Sequence, residues 1–308
     1  MTKKPMKNVA ASVQAKLLMR ARTRGDDFQL ILLRYANERL LFRLASSAHA
    51  RSFVLKGAAL FTFWTGQPHR ATRDLDFLGF GDPAEAHLKK VFTEVLKEPV
   101  VDDGLVFDSS GMKVGPIRED QEYGGVRLSF VAHLGNAKIP LQIDVGFGDT
   151  VTPGPQEIEF PVLLEFPAPR LRAYPRETVA AEKIEAFVKL GLANTRMKDF
   201  YDLRTLSEQF EFEGAVLVKA IGATFKRRGT TLPTETPVAL TNEFSADKGR
   251  AVQWSGFAKK AGVANAGDLV TAIERVAAFC AEPLTRAALG DDWAGTWKPA
   301  GPWTTAAR

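Results

Sequence analysis

Apolar residues recur at helical spacing early in the chain, at strand spacing through its middle, and at helical spacing again toward its end. Across residues 26–45, Leu30, Leu33, Tyr35, Leu40, Leu41 and Leu44 fall on one side of a 3.6-residue period. That spacing predicts an amphipathic helix packed on the neighbouring elements, a scaffold without chemistry of its own. The period then shortens. Residues 53–55 read as a short apolar strand, Gly57 as a turn, the segment through Trp64 as a helix, and residues 66–72 as a polar loop. The next strand carries Asp74 and Asp76 on one face and Leu75 and Phe77 on the other, because strand side chains alternate with period two. After a turn at GFGDP, Leu88, Val91, Phe92 and Val95 mark a helix over residues 84–96. Short strand-like runs come next, at 105–107, 112–114, 125–130 and 139–145. In the last of these Leu141, Ile143 and Val145 oppose Gln142 and Asp144, which places a third acid on a strand.

Pro167, Pro169 and Pro175 make residues 162–175 a linker, and strand patterns stop beyond it. Helices are predicted at 175–190, from 199 to 206, and at 214–228. Residues 231–247 read as loop, and residues 248–289 as helix broken near 262–267. The tail from residue 291 holds Trp293, Trp297 and Trp303 among Gly and Pro, and is expected to lie over the surface as a clasp. Several strands in succession followed by helices argue for an α+β protein rather than regular βαβ winding. The expected division is a mixed-sheet domain at 1–165 with an N-terminal helical arm, and a mainly helical domain at 166–308.

Bulk properties narrow the chemistry. A chain of 308 residues, 45% hydrophobic and 25% charged, is long enough for two cores. Its formal charge of +5 and pI near 9.2 mildly favour acidic partners such as nucleotides or nucleic acid. The basic residues 1–24 offer either an arm for a polyanion or a solvated helix face, and the second is favoured. The lone Cys280 excludes an internal disulfide, fits a reducing compartment and reads as a packing residue. No window approaches the ~18 to 20 apolar residues of a membrane span, and no apolar core follows the N-terminal lysines, so a cytoplasmic protein is expected. Gly-x-Ser-x-Gly, P-loop and paired-cysteine motifs are absent, and His49, His69, His87 and His133 lack metal-ligand spacing.

Three acids on neighbouring strands suit Mg²⁺, a hard ion that takes carboxylate oxygens and keeps positions for water and substrate phosphates. Asp74, Asp76 and Asp144 are the candidate metal ligands. Asp-x-Asp alone is a weak signal that arises on many solvated strands. Gly57, between a strand and a helix, strengthens it, since backbone amides at a helix start hold phosphates. Glycine turn, helix, then acid pair is a nucleotidyltransferase order. In the loop QPHRATRD, Arg73 is placed either to touch phosphate or to pair with one of the aspartates. The cluster Lys226, Arg227 and Arg228 closes a helix and suits its dipole without a ligand.

Two segments carry a family resemblance: FVLKGAALFTFWTGQPHRATRDLDF at 53–77 and ETVAAEKIEAFVKLGLANTRMKDFYDLRTL at 177–206. Together they resemble the AbiEii/AbiGii-type nucleotidyltransferase toxins of the DNA polymerase β-like nucleotidyltransferase superfamily. The resemblance runs over most of the chain and weakens after about residue 230. It implies a minimal nucleotidyltransferase sheet followed by a helical domain that supplies the second half of an active-site cleft. By position it implies metal ligands at Asp74 and Asp76, a nucleotide-phosphate contact at Lys183, a catalytic acid at Asp199 and a basic group at Arg196. The bland alternatives are a Lys183 paired with Glu182 or Glu185, and a helix cap at Asp199 or Asp202. Gly57-Ala58-Ala59 departs from relatives that place Gly or a hydroxyl residue after the motif glycine, which removes one phosphate contact and bears on nucleotide choice. The resemblance further implies Mg²⁺, an NTP substrate, RNA and particularly the tRNA 3′ end as acceptor, a cognate antitoxin, and a role in toxin–antitoxin or abortive-infection systems. Transfer to a small molecule or protein side chain, and a catalytically silent RNA- or partner-binding module, are the competing readings.

Overall fold

The computed structural model describes residues 8–67, 69–117, 124–263 and 265–305. Two compact units divide the chain: Met1–Gly148 with Glu157–Ala173, and Asp149–Gln156 with Tyr174–Arg308.

The first unit begins with α1 (Val9–Arg24) and α2 (Phe28–Ser46). Asn8 and Asp27 cap them, their side chains accepting from the amides of Ala11 and Leu30, and Gly25 ends α1 in the left-handed region that glycine tolerates. Val13, Leu17 and Ala21 bury one face of α1, so the basic segment is a packed helix with a solvated far side over Val9–Arg24, and residues 1–7 lie outside the described residues. The remaining elements are β1 (Phe53–Lys56), α3 (Ala59–Thr65), β2 (Asp74–Gly79), α4 (Glu85–Leu96), β3 (Leu105–Pro116), β4 (Val126–Leu134), β5 (Ala137–Phe147), β6 (Gln156–Glu159) and β7 (Arg170–Ala173). They build a seven-stranded mixed sheet in the order β3-β4-β5-β2-β1-β7-β6. β2 runs antiparallel to β1 and parallel to β5, and β1 is parallel to β7. Phe53, Leu55, Leu75, Phe77, Ile143 and Val145 are buried on the sheet's apolar side, where Phe53 meets Phe77 and the α4 residue Phe92 at 6.0 and 5.2 Å.

Two expectations change here. The runs at 105–107 and 112–114 are one strand, β3, whose register against β4 shifts between Asp108 and Lys113. Asp108 Oδ1 accepts from the amides of Ser110 and Gly111, a local turn that consumes the extra residues. The proline-rich linker also holds β7, whose Ala173 pairs with Leu55 of β1.

The second unit contains α5 (Arg176–Leu190), α6 (Met197–Gln209), β8 (Phe212–Glu213), α7 (Gly214–Arg228), α8 (Asn242–Ser245), α9 (Lys248–Ala261), α10 (Leu269–Leu289), β9 (Gly295–Trp297) and β10 (Trp303–Thr305). It is mainly helical, yet strands do not stop at the linker. β8, β9 and β10 form a three-stranded antiparallel sheet. The tryptophan tail is accordingly core rather than a surface clasp. Trp297 is 1% exposed, donates its indole N–H to Ser207 O at 2.7 Å, and meets Phe279 of α10 edge-on at 5.1 Å. Trp293 and Trp303 lie 4.8 Å apart in the same cluster. The pattern missed this because two- and three-residue strands are too short to show a period.

Candidate active site

Gly57 follows β1 with φ +76°, a conformation that L side chains rarely adopt. A Cβ built there would stand 2.1 Å from Asp76 Oδ2, so the missing side chain is what lets the carboxylate lie against the turn. Asp76 pairs with Asp144 across the parallel β2–β5 ladder, and Asp74 lies two residues earlier on the same face. Ligand oxygens of Asp74, Asp76 and Asp144 all fall within 4.8 Å of one another, a cluster able to hold a metal ion. Thr72 Oγ1 donates to Asp74 Oδ1 at 2.9 Å and fixes that carboxylate. Arg127 of β4 grips Asp144 through Nε to Oδ1 at 2.8 Å and Nη2 to Oδ2 at 2.7 Å.

The flanking residues fare differently. Ala58 is buried at the start of α3, which is only seven residues long. The amides of Leu60 and Phe61 bond the carbonyls of Gly57 and Ala58, so this helix start has fewer donors for an anion than the glycine turn implied. Arg73 is exposed. His69 stacks on Phe61 with centroids 4.0 Å apart.

The second constellation lies in the other unit. Lys183 of α5 donates to Asp199 Oδ1 at 2.6 Å and to Asp202 Oδ2 at 2.9 Å. Residues three apart share a helix face, so α6 offers both acids to one amine. Side-chain exposures of 14%, 10% and 1% for Lys183, Asp199 and Asp202 make this a largely desolvated trio. The stacked rings of Phe187 and Phe200, 4.2 Å apart, join the same two helices. Asp199 and Asp202 thus serve Lys183 instead of capping α6, whose cap residue Arg196 donates its amide to Asn194 Oδ1 at 2.8 Å just before the helix. Arg196 itself is half-buried at the cap position.

Glu182 and Glu185, the sequence alternatives for Lys183, belong to Arg228. That guanidinium contacts Glu182 at 3.1 Å, Glu185 at 2.9 Å and Asp149 at 3.1 Å. Burial alone would lower the Arg228 pKa, but Glu182, Asp149 and Glu185 outweigh it and raise it. The basic helix end is therefore partly structural. Cys280 is fully buried, and burial pushes its thiol pKa well up, as suits an inert packing residue. Sequence reading passed over Lys56 and Arg127, and weighed Asp202 only as a helix cap. Only strand register and helix packing bring them to the acids or to Lys183.

A family model described as "Nucleotidyl transferase AbiEii toxin, Type IV TA system" matches residues 39–276. The chain belongs to this family. It is a nucleotidyltransferase of a toxin–antitoxin system, with a nucleotide substrate and an antitoxin partner, and its matched span contains both AbiEii segments at 53–77 and 177–206. No curated protein matches the chain. Two solved Helicobacter pylori structures, one described as a nucleotidyltransferase and the other as JHP933, each share 14% identity and a TM-score of 0.46. They cover 82% of this chain and 93% and 90% of their own. Among the described residues, no helix of this AbiEii-family chain is long and apolar enough to cross a membrane.

Proposed function

We propose that the chain transfers a nucleotide from an NTP to an acceptor hydroxyl on RNA, specifically the tRNA 3′ end, with Mg²⁺ at Asp74, Asp76 and Asp144, in the cytoplasm. The observation that carries the reading is the cluster of three carboxylates within 4.8 Å on adjacent strands, one of them seated against Gly57. Its donors are all carboxylate oxygens, which fit Mg²⁺. When bound, the ion would neutralise phosphate charge and polarise the reacting phosphoryl group.

The residues of the chain set the rest. Thr72 and Arg127 hold two of the carboxylates in place, and Gly57 leaves room for the third. In the transfer the acceptor oxygen forms a bond to the α-phosphorus, the bond to pyrophosphate breaks, and the hydroxyl proton passes to a base. Lys183 is assigned to nucleotide phosphate, with Arg196 as a further cation and Arg73 as an exposed one beside the acids. Asp199 is assigned to proton handling. Asp202, which also accepts from the Lys183 ammonium, is assigned to positioning it when Asp199 is otherwise engaged. The antitoxin would act on this activity in its host.

The test incubates purified chain with each α-labelled NTP, Mg²⁺ and total tRNA. Label should enter tRNA with wild type and fall at least about 100-fold in Asp74→Asn/Asp76→Asn, in line with loss of metal-bound chemistry. Transfer that persists in the double variant sinks the metal assignment. Label in the protein or metabolite fraction instead would move the acceptor to a side chain or small molecule, and growth inhibition that survives loss of Asp76 or Lys183 would favour a silent binding module.

A further inference from the structure

Four adjacent strands carry one charged row. Register pairs Lys56 with Asp76, Asp76 with Asp144, and Asp144 with Arg127, across β1, β2, β5 and β4. Residues paired across strands share a face, so the row reads cation, acid, acid, cation. The Lys56 ammonium lies 3.6 Å from where a Cβ on Gly146 would stand. Gly146 is two residues beyond Asp144 and on the same face, and its lack of a side chain leaves that space to the lysine.

The Arg127–Asp144 pair is a two-bond, charge-assisted clasp. Strand cohesion does not account for it. β4 and β5 are already paired in unbroken register from Val126 with Val145 to Leu134 with Ala137. The arginine side chain is also 36% exposed, where an ion pair adds little to stability. Its consequence is electrostatic: both oxygens of one candidate ligand are already engaged by a cation. Counting Asp74 with the row, three carboxylates stand with Lys56 and Arg127, and the exposed Arg73 is next in sequence to Asp74.

We infer that Lys56 and Arg127 hold the acid row near charge balance, so that it takes a divalent cation together with a nucleoside triphosphate rather than from solvent alone. A bare dication is attracted by the carboxylates and repelled at similar range by a guanidinium and an ammonium. The triphosphate supplies the missing negative charge, and the same two cations then favour the metal–nucleotide complex. Arg127 is in this sense a positioning residue: it orients Asp144 and sets the order in which the site fills. The inference rests on the metal-site reading of Asp74, Asp76 and Asp144.

The experiment titrates Mn²⁺ into the full chain and follows the free aqua-ion signal by electron paramagnetic resonance. It is run alone and with non-hydrolysable α,β-methylene analogues of ATP, GTP, CTP and UTP in turn. Each is set against the same analogue without protein, since the triphosphate itself takes up Mn²⁺, and only the protein-dependent loss is counted as binding. Wild type should bind Mn²⁺ alone weakly and at least about tenfold more tightly with one analogue. Arg127→Gln should tighten binding of Mn²⁺ alone by roughly tenfold and shrink the nucleotide effect, Arg127→Lys should stay near wild type, and Lys56→Gln should move in the same direction as Arg127→Gln. Circular dichroism checks that each variant is folded, and Lys56→Gln decides if Arg127→Gln is not. Equal or weaker Mn²⁺ binding in the glutamine variants, or tight binding of Mn²⁺ alone by wild type, overturns the inference. Mn²⁺ binding that survives in Asp76→Asn instead overturns the metal site itself, so the two failures are distinguishable without any transfer assay.

Discussion

Gly57 is the residue on which the acid cluster most depends. Any side chain there meets the Asp76 carboxylate, and its φ of +76° strains an L residue as well. Gly57→Ala is expected to cost about 1–3 kcal/mol in unfolding free energy, read from urea denaturation, and to displace Asp76 so that Mn²⁺ binding in the presence of nucleotide is lost. A variant with unchanged stability and unchanged Mn²⁺ binding would contradict that role. At this scale much was legible: a glycine between strand and helix, and two acids spaced to share a face, are local properties. The partners were not. Arg127 is 17 positions from Asp144, and Lys183 is 16 and 19 from Asp199 and Asp202. No local period links such positions. The sequence alternatives for Lys183, Glu182 and Glu185, are helix neighbours that packing turned toward Arg228 instead.

Among the elements, α2 departs most from its sequence pattern. The amphipathic stripe predicts one apolar face, yet Asn37, Glu38, Arg39 and Arg43 are buried too. Arg43 is clasped to Asp103 at 2.6 and 3.1 Å, Arg39 donates to Pro167 O at 3.0 Å, and Glu38 Oε2 accepts from the Leu163 amide at 2.7 Å. A helix covered by the 160–169 segment buries Glu38, Arg39 and Arg43 because these partners engage them, while Asn37 Oδ1 is buried without a hydrogen-bond partner. Burial raises the Glu38 pKa to about 7, with the Leu163 amide and Arg39 offsetting part of the effect. The folded state therefore holds a proton that the unfolded chain releases near the ordinary carboxyl value of 4.5. Stability from this group is complete below pH 4.5 and is lost as pH rises through about 7. Urea midpoints taken across that window should fall with pH in wild type, and the Glu38→Gln variant should flatten the slope. An unchanged slope would remove Glu38 as its source. In the second unit, β9 is the counterpart surprise. Trp297→Ala would empty a 1%-exposed site and remove the indole bond to the Ser207 carbonyl, leaving it the Ala300 amide, at a cost of about 3–5 kcal/mol by denaturant titration. A surface clasp would lose far less.

For the whole molecule, charge and topology set the terms. The formal charge of +5 suits the proposed RNA acceptor, and association governed by phosphate contacts weakens steeply with salt. Filter binding of labelled tRNA should lose roughly tenfold or more in affinity between 50 and 200 mM salt, and a flat response would speak against an electrostatic RNA surface. By itself the sequence determined the succession of long helices and strands, the α+β class, and the shared face of Asp74 and Asp76. These follow from local periodicity, which the backbone imposes on each segment separately. Only the tertiary structure decided that β5 lies beside β2, that Asp144 therefore joins the acid pair with Arg127 on its far side, and that two- and three-residue strands seal a tryptophan core. Strand order and register bring together residues far apart in the chain, and a one-residue slip would have sent every one of those side chains to the opposite face.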